Sequence, residues 1–365
     1  MAPKKSNVDV TTSTTKTTNT AAPLDTKILE DVIKALRSNK LWIKDPVARQ
    51  RYPEVVDLAS QLITHKRHCD MDEISQQEAL ESQVDYGSTN EATFVAEMWC
   101  HMHKDYRDKR ISGEPGSDIL DADWTTETWH KAHLNARWDL EFRPESIPRI
   151  DTKNATIIKL LQALPRVKNP KPDLAYGIKH RALTQTELDV ANAHLRFSEP
   201  SPGLCFPFFA AEFKGAGGVP EEVELQACRV GAAMVDAIRG LNKFAGLEKK
   251  DAGADMSSFV FTLTMIPSSA RMQVHWAQIV PGEPNIYHMH TIGRYWLDMG
   301  RDYKDIRRDL NNILDWGLSV RLQHVKETLN AINKKNLAAP PPKTQNTGTE
   351  ASEKGDAGVE QGSVG

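Results

Sequence analysis

The run Phe206-Pro207-Phe208-Phe209-Ala210-Ala211-Glu212-Phe213-Lys214 constrains the fold more than any other part of the chain. A short apolar run of this length, interrupted only near its end by a carboxylate and an ammonium, reads as a buried strand. Side chains alternate along a strand, so Glu212 and Lys214 point to one side while Phe209, Ala211 and Phe213 point to the other. A second short segment, Asp173-Leu174-Ala175-Tyr176-Gly177, alternates in the same way, with Asp173 and Ala175 on one face and Leu174 and Tyr176 on the other. Pro172 cannot donate to a ladder and favours an extended approach, which places Asp173 at the very start of that strand, and Gly177 is expected to mark its end. Were the two segments neighbours, two carboxylates and a lysine would converge, as a divalent cation and an activated water require.

Around these strands the chain alternates element types. Residues 26–38 carry Ile28, Leu29, Val32, Ile33 and Leu36 at helical spacing, and a second helix is expected from Pro53 to Lys66, with proline in its first turn. Ser88-Thr89-Asn90-Glu91 has the form of a capping box and opens a helix to about Arg107. Val95, Met98 or Trp99, Met102 and Tyr106 form its stripe, and Glu91 lies one turn earlier on the same face. Glu91 is then either a capping carboxylate or a third acidic residue of a metal site.

The segment 126–136 reads as a helix running into an extended piece, and 184–195 as a short helix within the long connection 178–204. After Lys214 comes the turn Gly215-Ala216-Gly217-Gly218-Val219-Pro220. A helix follows from Glu221 to about Leu241, with Val223, Ala227, Val230, Met234, Ala237 and Leu241 on one stripe. The turn lacks GxxxxGK[ST] and the full GxGxxG pattern, so a nucleotide cofactor is not indicated. Strands are expected at Ser258–Pro267, Arg271–Val280 and Asn285–Thr291. A closing helix carries Leu310, Leu314, Leu318, Leu322 and Val325. Helices interspersed with strands in this order predict an α/β fold with a mixed central β-sheet flanked by helices.

Composition narrows the function. With 39% apolar residues in 365 the chain can build a large core. Residues 1–23 and 336–365 have almost nothing to bury and are expected to be disordered tails around a helical extension at 24–84 and a main domain at 85–335. A net charge of −3 argues against a bulk electrostatic grip on nucleic acid but leaves room for a local basic groove. Four cysteines, Cys69, Cys100, Cys205 and Cys228, occur without CxxC spacing or a signal sequence, and read as reduced thiols of an intracellular protein of the nucleus or cytoplasm. No 18-residue apolar run is present, so no membrane is expected as a partner. Zinc is weakly served: Cys100, His101 and His103, the pair His288 and His290, and the pair His130 and His133 each lack a complete ligand set, and Cys205 has no base nearby in sequence.

The acidic helix residue, Pro172-Asp173 and Glu212-Phe213-Lys214 together resemble the signature of the PD-(D/E)XK nuclease-like superfamily, especially its fungal nuclease-like members, over roughly residues 85–300. The resemblance implies a restriction-endonuclease-like core and hydrolysis of nucleic-acid phosphodiesters. Asp173 and Glu212 would bind Mg2+, or Mn2+, with Glu91 as a further acidic residue and Lys214 helping to activate water. It also implies a nucleic-acid partner, DNA before RNA, with a homo-oligomer as an open possibility. Gln226 sits where members of the superfamily place a glutamine, but Val230 replaces the tyrosine of the QxxxY branch. Arg229, Lys179, His180 and Arg181 are candidate phosphate contacts, and Tyr176 a candidate hydrogen bonder behind the site or a core residue. A catalytically degenerate fold serving as a nucleic-acid or protein interaction module is the alternative.

Overall fold

The structure is a computed structural model. It describes residues 47–65, 77–81, 134–139, 141–143, 168–193, 199–215, 217–299 and 302–338, with isolated positions between 30 and 42, between 95 and 102, and at 146 and 148. The expected tails and the capping box at Ser88 lie almost wholly outside these residues.

Among the described residues, eight strands form one mixed sheet: β1 (Leu41–Trp42), β2 (Leu134–Trp138), β3 (Leu174–Ile178), β4 (Cys205–Phe213), β5 (Gly253–Ala254), β6 (Val260–Ile266), β7 (Ser269–Ile279) and β8 (Ile286–Trp296). Their order is β1-β8-β7-β6-β4-β3-β2, with β5 pairing to β7 off this path. The pairs β1 with β8 and β4 with β6 are parallel, and the rest are antiparallel. The helices whose bounds fall among the described residues are α1 (Ala48–Arg51), α2 (Pro53–Ile63), α3 (Gln185–Ala193), α4 (Pro220–Ala245), α5 (Tyr303–Trp316) and α6 (Leu322–Ala338). A π-helical turn at Gly317–Arg321 joins the last two.

Parallel neighbours need a crossover, and α4 supplies it between β4 and β6. Pro220 stands at its start, where the missing N–H costs nothing, and Glu221 and Glu222 lie in its first turn, against the positive end of the helix dipole. The sheet is covered on both sides. On one side Phe209, Ala211 and Phe213 of β4, Phe261, Leu263 and Met265 of β6, and Met272, Val274 and Trp276 of β7 pack with α2, α5 and the helical residues Val95, Met98, Trp99 and Met102. On the other, Ala175, Ala210, Val260, Ala277, Tyr287 and Met289 pack with α4. A third cluster joins α3, α6 and the last turns of α4 to the opening residues of β4. All nine residues of β4 are buried, as its near-continuous apolar run requires.

Three expectations need correction. Residues 134–136 are not helical but open β2, an edge strand whose Ala136, Arg137 and Trp138 are exposed, so no clean period-two alternation marks it. Gly177 does not end β3 but lies inside it, at a register shift against β4. A Cβ there would stand 2.5 Å from the carbonyl oxygen of Cys205, so glycine answers a close backbone approach. The 24–84 segment is not purely helical in its contribution, since β1 extends the sheet beside β8, while α2 packs into the core.

Candidate active site

Asp173 stands one residue before β3, with its carbonyl accepting from the backbone N–H of Asp139 at 3.0 Å. The ladder between β3 and β4 pairs Leu174 with Ala211 and Ala175 with Ala210, and continuing it by one residue sets Asp173 opposite Glu212. Opposed residues of antiparallel strands project to the same face, with Cβ atoms about 4.5–5.5 Å apart. That face is the one under α4, as Ala175 and Ala210 show by their place in the α4 cluster. Asp173 is half-buried and its Oδ2 accepts the backbone N–H of Phe213 at 2.6 Å. Lys214, also half-buried, donates from Nζ to the Phe213 carbonyl at 3.1 Å, and its own N–H continues the sheet to Met265 at 2.9 Å. The Phe213 backbone is thus held by the Asp173 carboxylate at its N–H and the Lys214 ammonium at its carbonyl. Glu212 is 0% exposed.

Arg229 lies on α4 within electrostatic reach of Glu212. Burial lowers the pKa of its guanidinium, and the Glu212 carboxylate acts in the opposite direction. It therefore acts as a counter-charge to Glu212 rather than as an outward phosphate contact. Gln226, three residues earlier, shares its helix face. Gln226 Oε1 and Arg229 Nε are both buried and make no hydrogen bond among the described residues. Val230, where a tyrosine would complete the QxxxY pattern, is core at 1% exposure.

Neighbouring strands extend this polar face. Thr264 pairs with Glu212 in the parallel register, and Thr264 and Arg271 are opposed in turn. Arg271 forms an ion pair with Glu224 in α4. The Gln273 carboxamide bridges the hydroxyls of Thr262 and Thr264 at 2.9 and 2.7 Å, and Thr262 Oγ1 lies 2.7 Å from His275 Nε2. In the amide orientation that satisfies both hydroxyls, Thr264 donates to Gln273 Oε1, Gln273 donates to Thr262 Oγ1, and Thr262 donates to a neutral His275. Burial pushes the His275 imidazole down to about 3, which keeps it the acceptor this chain requires.

Other expected residues are not brought to this place. Tyr176 faces the opposite side, in the apolar core against Trp99 and Phe209, and burial raises its hydroxyl well out of the titrating range, so it is a core residue. Lys179, His180 and Arg181 follow the far end of β3, roughly 20 Å from Asp173 at about 3.3 Å per residue, too far to share a phosphate with it. Lys179 is half-buried, and burial followed by repulsion from Arg181 lowers its ammonium. His288 is stacked on Trp276 with ring centroids 5.2 Å apart, and its Nε2 lies 3.0 Å from Gln278 Oε1, so it is not brought to a metal cluster among the described residues. Glu91 and the residues Cys69, Cys100, His101, His103, His130 and His133 lie outside the described residues.

The donors that Asp173, Glu212 and the Phe213 carbonyl offer are all oxygens, two of them from carboxylates, a set that suits a hard divalent cation such as magnesium. Among the described residues one mixed group of histidine, cysteine and carboxylate also converges: His180, Glu199 and Cys205. Sequence reasoning missed it because these residues follow no ligand spacing and their elements meet only through the β3–β4 pairing. Among the described residues, no helix is long and apolar enough to cross a membrane.

No curated protein matches the chain. A family model matches residues 82–329, which span β2 to β8, α3, α4, α5 and about the first half of α6, and the chain therefore belongs to the family described as a domain of unknown function, DUF7924.

Proposed function

We propose that the chain hydrolyses nucleic-acid phosphodiesters at a PD-(D/E)XK-type site, with Mg2+, or Mn2+ in its place, held by Asp173 and Glu212. The observation that carries this reading is the placement of Asp173 opposite Glu212 on one face, at the ends of adjacent antiparallel strands, with Lys214 two residues on. A hard cation bound there would neutralise phosphate charge and make a water more acidic. The remaining roles fall to the chain itself. Lys214, whose ammonium rests at the Phe213 carbonyl, is placed to donate to a water or phosphate oxygen at the strand end. The unsatisfied Gln226 Oε1 can accept from that water, and Arg229 sets a positive charge within electrostatic reach of Glu212. DNA is the first substrate to try, and an intracellular setting fits the thiol-bearing cysteines Cys205 and Cys228.

One observation favours a second reading, a degenerate fold that binds nucleic acid or protein without cleaving it. Glu212 is 0% exposed and Arg229 already offers it a positive charge, so the carboxylate can be read as a structural ion-pair member. The experiment that separates the two is cleavage of labelled single- and double-stranded DNA and RNA by the full chain with Mg2+, Mn2+ or a chelator. Metal-dependent cleavage reduced about 100-fold or more in both Asp173→Asn and Lys214→Ala supports the enzyme. Binding by the wild type with no cleavage under any metal supports the module and removes the catalytic reading.

A further inference from the structure

The far end of the β3–β4 pair assembles a second site that shares no residue with the first. Ile178 at the end of β3 pairs with Cys205 at the start of β4. The chain leaves β3 through the 3-10 turn His180–Ala182, passes through α3, and returns at Glu199, just before a tight turn in which Ser201 and Leu204 bridge. The donor atoms of His180, Glu199 and Cys205 are thereby brought within 4.8 Å of one another. His180 Nε2 stands 3.6 Å from Glu199 Oε1.

A tetrahedral zinc ion bonded at about 2.0–2.3 Å holds its ligands roughly 3.3–3.8 Å apart, so these three side chains, with donor atoms within 4.8 Å of one another, need to close by at most about 1.5 Å to share one. The set joins a thiol, an imidazole and a carboxylate. Magnesium and calcium take oxygen donors, whereas sulfur and imidazole nitrogen select a borderline-soft transition metal. The surroundings hold the donors in place. Glu199 accepts the N–H of Gly203, and its Oε2 lies 3.8 Å from Arg143 Nη2. Phe206, beside Cys205, has φ of 44°, a left-handed conformation costly for a residue with a side chain. It bends the first residues of β4, and Gly177 gives the Cys205 carbonyl the room it needs. Cys205 is 2% exposed and Glu199 8%, while the His180 side chain is 48% exposed, which gives an ion a route in from solvent.

We propose that His180, Glu199 and Cys205 form a zinc-binding site whose fourth position opens to water beside the exposed edge of His180. Zinc there ties the end of β3, the return from α3 and the start of β4 together, and it stands apart from the Asp173–Glu212 pair both in place and in ligand chemistry.

The test uses the full chain, stripped with a chelator and titrated with zinc. Native mass spectrometry reads the stoichiometry, and cobalt substitution reports the thiolate through its ligand-to-metal charge-transfer band. One equivalent should bind. His180→Ala, a change at an exposed side chain, and Cys205→Ser should each weaken binding by more than the roughly 10–100-fold typical of losing an outer hydrogen-bond partner of a metal site. The cobalt–thiolate band should vanish in Cys205→Ser and persist in Cys228→Ser, and Asp173→Asn should bind zinc as the wild type does. Absence of zinc binding by the wild type, or binding unchanged in both His180→Ala and Cys205→Ser, would overturn the proposal and leave His180 and Glu199 as a close polar pair over a core thiol.

Discussion

The two faces of the central sheet are equally buried and chemically unlike. Opposite α4 stand Phe209, Phe213, Phe261, Leu263, Met265, Val274 and Trp276, closed over by α2 and α5. Under α4 the same strands present Glu212, Thr262, Thr264, Gln273 and His275, each 5% exposed or less. An apolar face gains stability from every area it removes from water, at roughly 25 cal/mol per Å2. A polar face gains little net, because each hydrogen bond made replaces one to water, and it loses heavily wherever a partner is missing. The first face therefore holds the fold, while the second uses that stability to keep charged and hydrogen-bonding groups dry and in fixed register. Gly231 shows how closely the polar face is fitted: a Cβ on this α4 residue would come within 2.1 Å of His275 Nδ1.

The largest expected effect lies on the apolar face. Phe261 is fully buried, with Phe259 and Trp316 at ring-centroid distances of 5.6 and 5.3 Å. Phe261→Ala should cost about 3–5 kcal/mol in denaturant unfolding, and a loss below about 1 kcal/mol would end the division of labour drawn between the faces. A polar exception on that side, Asp309 in α5, gives a pH test. Its carboxylate accepts from the Tyr295 hydroxyl and pairs with Arg308 at 2.7 Å. Burial raises it from 3.8 to about 6, against the opposing pull of Tyr295 and Arg308, with Asp305 adding a further upward push. A folded pKa above the unfolded one means that the group's contribution is full below pH 3.8 and is lost as pH rises through about 6. Asp309→Asn should therefore gain on the wild type by about 2–3 kcal/mol between pH 4 and pH 8. Unfolding curves at both pH values check this, and a constant difference would refute it.

On the polar face Gly231→Ala should destabilise by about 1–3 kcal/mol, because helix and imidazole must separate. Chemical denaturation measures it, and a neutral result would mean that α4 rests on the sheet more loosely than His275 requires. The smallest effect is the coupling between Glu212 and Arg229. A double-mutant cycle with Glu212→Gln and Arg229→Gln should give about 0.5–3 kcal/mol. Additive losses would return Arg229 to the role of an outward substrate contact.

The period-two pattern of the Phe206–Lys214 run was enough to assign Glu212 and Lys214 to one side and Phe213 to the other, because alternation along a strand needs no knowledge of its neighbours. The stripe from Val223 to Leu241 likewise marked α4 correctly, and Leu310, Leu314, Leu322 and Val325 are buried as their spacing requires. β2 escaped because an edge strand with an exposed Trp138 and Arg137 has no buried face to write an alternating pattern. β1 has two residues, too few for any period. Arg229 reads as a surface cation until Glu212 is seen beneath α4, and Tyr176 reads as a possible site residue until its strand is placed with that face turned toward Trp99.

Local chemistry in the chain itself determined the type of the strongly periodic elements, the sidedness of β3 and β4 and the parity that puts Asp173 with Ala175 and Glu212 with Lys214. These follow from steric periods that act between near neighbours. Which strands pair, which face each helix covers and which distant groups meet were decided only in the tertiary structure. Those choices depend on packing and hydrogen bonding between segments whose separation along the chain carries no signal. The meeting of His180, Glu199 and Cys205, and the opposition of Asp173 to Glu212, belong to that second kind.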